Sequence, residues 1–194
     1  MAQPQATIRL PGATYAVSNT GPLISAFQSN SFELLTQIFA EIHTSPGCIA
    51  ELVKHDWGDA IKIASSKLLT VRLTSDEENQ ALRIAEQITQ HPDTTDPIAV
   101  NHLGEAQAMV LALRSEYQND LLLLDELVAR TVAKQLNLKL SGFPGVLLLA
   151  VQGDLISAED VRERLEKCRA QGTHYRATFI QQVYKMAHQG RRIK

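Results

Sequence analysis

The sequence predicts an α/β fold: a parallel sheet of about five strands, covered by helices on both faces in three layers, followed by a C-terminal helical hairpin. Three observations predict it. Strand-like and helix-like segments alternate from Tyr15 to Val151, the pattern of a parallel sheet joined by helical crossovers. Leu121 to Leu124 is an unbroken apolar run, too short for a helix and suited to a strand buried on both faces. Turn-forming and capping residues stand where the two kinds of segment meet.

Tyr15 to Ser18 reads as the first strand, ended by the turn-like Asn19-Thr20-Gly21-Pro22. Helices are expected around Leu23 to Phe27 and from Phe32 to Phe39. Glu41 to Thr44 is a weak second strand. Ser45 and Pro46 then cap and open a helix that turns Ile49, Leu52 and Val53 inward, with Glu51 beside them. Trp57, in the polar stretch His55 to Asp59, fits either an exposed contact or a lid on the core. Leu68 to Leu73 is a third strand, and Thr74 to Glu77 opens a helix with acidic residues at its positive end. His91 to His102 lacks periodicity and is expected to be a long loop. A helix from Glu105 buries Ala106, Met109, Val110 and Leu113. The Leu121 strand follows, then a helix from Leu127 to Leu136, a strand over Leu138 to Leu140, and a helix from Val146 to Val151.

The organisation expected is an N-terminal arm over residues 1–13, an α/β domain over 14–152, and a helical extension over 153–194. In the extension, Ser157-Ala158-Glu159-Asp160 caps a helix with Val161, Leu165 and Cys168 along one stripe. A last helix, Arg176 to His188, follows Gly172. No Asp or Glu follows Glu166, whereas Lys167, Arg169, Arg176, Lys185, Arg191, Arg192 and Lys194 do, so the extension is basic on a protein of net charge −2.

That charge excludes a global positive field, and any nucleic-acid contact must come from a local patch. Hydrophobic residues at 44% and charged residues at 21% describe a globular chain with a sizeable core. Cys48 and Cys168 have neither metal-ligand spacing nor a disulfide framework and are expected to be buried thiols in a reducing cytoplasm. The apolar runs are too short to span a bilayer, so no membrane partner is expected.

The chemistry gathers at strand ends. Asp125 follows the four leucines at a strand-to-helix junction, the edge of an open α/β sheet where ligands bind. Asn19, Glu51 and Glu105 are candidates for the same edge. Alone, each acid is explained as a helix cap or a partner of a helix dipole. Together, carboxylates from distant parts of the chain would repel one another unless a cation lay between them. Oxygen ligands without His or Cys suit Mg²⁺ or Mn²⁺, ions that serve phosphoryl chemistry. Arg130 and Lys134, one turn apart after Asp125, are candidate phosphate contacts.

The motifs of several other catalytic classes are missing. The chain has no phosphate-binding Gly-rich loop ending in Lys-Ser/Thr, no G-x-G-x-x-G and no G-x-S-x-G elbow. His43, His55, His91, His102, His174 and His188 lack ligand spacing, and most are expected at the surface. His102 lies close in sequence to a candidate acid, Glu105.

Five segments, taken in order, resemble the PIN-domain family: Val17-Ser18-Asn19-Thr20-Gly21-Pro22-Leu23-Ile24; Pro46 with Glu51-Leu52; Gly104-Glu105-Ala106 leading to Leu111-Ala112-Leu113; Leu124-Asp125-Glu126 with Ala129-Arg130 and Ala133; and Gly142 with Gly145-Val146-Leu147. The nearest likeness is to the bacterial and archaeal VapC-like subgroup, over roughly residues 14 to 152. The resemblance implies a parallel-sheet α/β/α fold and a metal-dependent endoribonuclease holding one or two Mg²⁺ or Mn²⁺ ions. It implies Asn19, Glu51, Glu105 and Asp125 as the four acidic-site positions, with Asp56, Asp96 and Glu126 as substitutes or auxiliaries. It also implies RNA as substrate, homodimerisation, and the toxin role of a toxin–antitoxin pair with a protein antitoxin as partner. Asn19 departs from the family, whose active members usually carry Asp there; one negative charge is lost, and metal affinity should weaken. Two other readings stay open: a non-catalytic PIN-like module that binds RNA or a protein, and a metal-dependent phosphohydrolase of small substrates.

Overall fold

The computed structural model describes residues 14–190. Within them the chain runs β1 (Tyr15–Ser18), α1 (Thr20–Gln28), α2 (Phe32–Ile38), β2 (Glu41–Thr44), α3 (Pro46–Lys54), α4 (Gly58–Ala64), β3 (Leu68–Thr70) and α5 (Ser75–Thr89). It continues through α6 (Leu103–Ala112), β4 (Leu121–Leu123), α7 (Leu127–Gln135), β5 (Leu140–Ser141), α8 (Phe143–Gln152), α9 (Ala158–Ala170) and α10 (Ala177–Gly190). The N-terminal arm expected over 1–13 lies outside the described residues, as do residues 191–194 of the extension.

The five strands form one parallel sheet in the order β3-β2-β1-β4-β5. The expected α/β/α architecture is therefore present, with the helical region after it. The order explains the two layers. Moving from β1 to β2 to β3 and moving from β4 to β5 run in opposite directions along the sheet, and right-handed crossovers then fall on opposite faces. Ala16, Ile42, Leu68 and Leu123 meet side chains of α1 to α4 and α8 to α10 on one face. Val17, Leu122 and Leu124 meet those of α5, α6 and α7 on the other. The alternation of Leu122, Leu123 and Leu124 between the cores is the period of a strand buried on both sides.

Local signals set several helix starts. Ser45 Oγ accepts the Cys48 N–H, with Pro46 in the first turn of α3. Thr74 with Glu77, and Ser157 with Asp160, form reciprocal capping boxes at α5 and α9. Other boundaries differ from expectation. α1 starts at Thr20, because Pro22 in a first helical turn loses no hydrogen bond the helix would have made. α8 starts at Phe143 for the same reason, with Pro144 in its first turn. β3 stops at Thr70 and β5 shifts to Leu140–Ser141. α4 has no counterpart in the sequence reading. Trp57 is a lid, stacked on Phe27 with ring centroids 5.6 Å apart.

The C-terminal hairpin shares the first core. Val161, Leu165, Cys168, Ile180, Val183 and Ala187 are buried against the same cluster as Leu23, Phe143 and Leu147. Both cysteines are buried and free. Burial raises the Cys168 thiol to about 11, so it packs as a small apolar group. Among the described residues, no helix is long and apolar enough to cross a membrane. Because Leu165 is fully buried in the shared core, Leu165→Ala is expected to cost about 2–5 kcal/mol in a single denaturant transition. A loss confined to the helical signal of α9 and α10, in a separate early transition, would contradict a common core.

Candidate active site

The edge of the sheet brings together residues that lie far apart in the chain. β1 pairs with β4 so that Ser18 stands opposite Leu123, and the Asn19 N–H donates to the Leu123 carbonyl at 3.2 Å. The crossovers leaving β1 and β4 diverge to opposite faces, which opens a crevice at the carboxyl ends of these two strands. Asn19 and Asp125 border it. Gly21, in the first turn of α1, passes between them: a Cβ added there would lie 3.7 Å from Asp125 Cβ and 3.9 Å from Asn19 Oδ1.

On the Asn19 side, three predicted residues meet. The Asn19 side chain is buried at 4% exposure, and its Nδ2 donates to Glu105 Oε1 at 3.4 Å. With Glu105 ionised, that contact fixes the amide, because the flipped orientation would set two oxygens against each other. Asn19 Oδ1 is left buried without a partner, a costly state for an acceptor. Glu105 sits in the first turn of α6. Burial pushes its carboxyl above the ordinary range, and the Glu51 and Glu126 carboxylates push the same way against the pull of His102. Glu51, from α3, receives a hydrogen bond from Thr20 Oγ1 at 2.6 Å. A Cβ added at Gly104 would lie 3.7 Å from Glu51 Oε2, so this carboxylate lies over the start of α6.

Asp125 is held differently. Its Oδ1 accepts the Phe143 N–H at 2.9 Å, and its Oδ2 accepts from the Tyr175 hydroxyl at 3.3 Å. Burial lifts its carboxyl to about 6, against the opposing effects of these two donors and of Arg130. The carboxylate thus faces α8 and the loop before α10. Glu126 caps α7, accepting from the Val128 and Ala129 N–H groups, and it is this neighbour of Asp125 that acts on Glu105. Asp56 occupies a left-handed turn after α3, at φ 66°. Asp96 braces its own loop through Ile98 and Asn101, and its carbonyl meets the His102 ring.

Among the described residues, no three His, Cys, Asp or Glu side chains form a ready metal cage. The donor set nevertheless fits a hard divalent cation. It consists of oxygens, one carboxyl is raised by burial and, to a lesser degree, by the like charges of Glu51 and Glu126, and one buried amide oxygen lacks any partner. Arg130 donates to the Leu124 carbonyl at 2.6 Å and lines a cleft beside Asp125. Lys134 is exposed on the next turn of α7, outside that lining. The histidines divide: His43 and His102 are buried and the others are at least partly exposed. His43 is structural, its ring nitrogens meeting Tyr117 and Glu41. Thr20 and Tyr175 were not legible as site residues. Thr20 stood within the Asn19 motif, but Tyr175 lies 50 positions from its partner with no local signal.

The Asp125 carboxyl gives a pH prediction. Its folded value, about 6, lies above the ordinary 3.8, so its protonated form favours the fold. That contribution is complete below 3.8 and lost as the pH rises through 6, up to about 3 kcal/mol. Asp125→Asn, with chelator present, is therefore expected to raise stability above pH 6 and to match wild type at acid pH. An equal effect at both pH values in urea titrations would contradict it. Comparison with known proteins adds one finding: a family model described as a PIN domain matches residues 15–189, running through both helices of the C-terminal hairpin. No curated protein matches the chain.

Proposed function

Since the chain belongs to the PIN-domain family, whose fold is nuclease-like, we propose that it is a metal-dependent endoribonuclease that hydrolyses RNA phosphodiester bonds. The orphaned Asn19 Oδ1 beside the Glu105 carboxylate, at the crevice between β1 and β4, carries this reading. Glu105, Glu51 and Asn19 would hold Mg²⁺ or Mn²⁺ on one side of Gly21, with Asp125 on the other. Such an ion supplies positive charge to the scissile phosphate and activates water. The chain's own groups prepare the site. Asn19 Nδ2 orients Glu105, Thr20 fixes Glu51, and Phe143 N–H with the Tyr175 hydroxyl holds Asp125. Arg130 and Lys134 offer positive charge to RNA phosphates. The same reading extends to a cytoplasmic, VapC-like toxin that forms homodimers and is silenced by an antitoxin; the flanking reading frames test that part.

One observation favours a second reading. The Asn19 amide already gives Glu105 a hydrogen bond, so part of a cation's work is done without one. A PIN-like module that binds RNA or a protein without cutting would keep this arrangement.

Incubation of a structured RNA mixture with Mg²⁺, Mn²⁺ or chelator separates the two. The nuclease reading expects metal-dependent cleavage that falls more than about 10–100-fold in Glu105→Gln. It also expects Asn19→Asp to bind Mn²⁺ more tightly by calorimetry, because the added charge meets the ion directly. Absence of Mn²⁺ binding at millimolar metal, together with uncut RNA in both proteins, would establish the non-catalytic reading instead.

A further inference from the structure

A cleft of about 1460 Å³ opens between the starts of α7 and α8 and the loop joining α9 to α10. Asp125 and Tyr175 form part of its wall. This is larger than the roughly 300–1,000 Å³ of a small-molecule site, which suits a segment of polymer. Its charge is one-sided: Arg130, Arg169 and Arg176 line it, against the single carboxylate of Asp125. Arg169 pairs with Glu166 at 3.2 Å, both about half exposed, and such surface pairs exchange readily for another anion. No carboxylate among the described residues pairs with Arg176.

The cleft also presents an aromatic ring. α10 buries Ile180, Val183 and Ala187, but Phe179 is 39% exposed and turned to the cleft. The Tyr175 ring lies beside it, with centroids 5.8 Å apart and planes at 31°. Leu127, 78% exposed, stands on the cleft lining as well. Guanidinium groups around an uncovered aromatic face make a surface for unpaired nucleotides: the cations track phosphates, and the ring stacks on a base of any identity. A duplex hides its base faces and has no use for the ring. An acidic peptide would use the arginines without it.

We propose that the C-terminal hairpin adds an RNA-binding subsite to the edge beside Asp125, in which Arg130, Arg169 and Arg176 take phosphates and the Phe179 ring stacks on an unpaired base. The inference rests on the nuclease reading for its substrate, but its test does not need cleavage.

Binding is measured by fluorescence anisotropy in chelator, with a short labelled RNA lacking secondary structure and with the same strand annealed to its complement. The unpaired strand is expected to bind more tightly. Phe179→Ala and Phe179→Leu should each weaken it by about 5- to 100-fold and leave duplex binding unmoved. The leucine variant keeps apolar volume, so a shared loss assigns the effect to the ring face. Replacing Arg169 and Arg176 with Ala should flatten the salt dependence by about 0.7 per residue, whereas Arg83→Ala on α5, outside the cleft lining, should not. Equal affinity for duplex, or binding indifferent to both Phe179 variants, overturns the proposal. Cleavage in Mg²⁺ or Mn²⁺ is scored separately. Cut RNA with unmoved binding overturns the cleft and keeps the nuclease; ring-dependent binding of the unpaired strand without cleavage does the reverse.

Discussion

The pairing of β1 with β4 is the constraint on which the site depends. It joins segments more than a hundred positions apart, with Ser18 opposite Leu123, and it is the point where the strand order reverses. Helical crossovers diverge from there to opposite faces, so the residues just past β1 and β4 are left at an open edge. Asn19 and Asp125 stand there because of that register. A slip of one residue would turn Val17 and Leu122 into the wrong core and carry both site residues off the edge.

Once gathered, the acids must be accommodated, and the fold handles the two sides differently. Glu105 is partly buried beside like charges and gains relief from His102 and from an Asn19 hydrogen bond. Glu51 is held by Thr20. Asp125, across Gly21, is held by the Phe143 N–H and Tyr175, with Arg130 nearby. The identity of residue 19 sets the balance. An amide can donate to Glu105 where a carboxylate would repel it, at the cost of a buried oxygen left without a partner. The same substitution that lowers the need for a cation thus leaves behind an atom that a cation would satisfy.

The C-terminal hairpin serves packing and site together. Its inner stripe closes the core over α8 and α1. The loop between its helices places Tyr175 against both Asp125 and Ser25, and Arg169 and Arg176 line the cleft. These roles come from different faces of one motif, as helical periodicity allows.

The strands, the capped helices and the chemical character of the site can be read along the chain, because they are written in local signals. The apolar run at Leu121, the caps at Ser45, Thr74 and Ser157, and the motifs around Asn19, Glu105 and Asp125 each occupy a few adjacent residues. Short elements with mixed signals were less legible: α4 was missed, and the prolines at positions 22 and 144 hid the first turns of α1 and α8. Where the side chains point is set by the packing of the whole fold. That Asp125 turns to Tyr175, that Glu126 acts on Glu105, and that Trp57 covers Phe27 follow from contacts between distant segments. Such contacts depend on strand order and helix placement, which pattern and propensity along one chain do not encode.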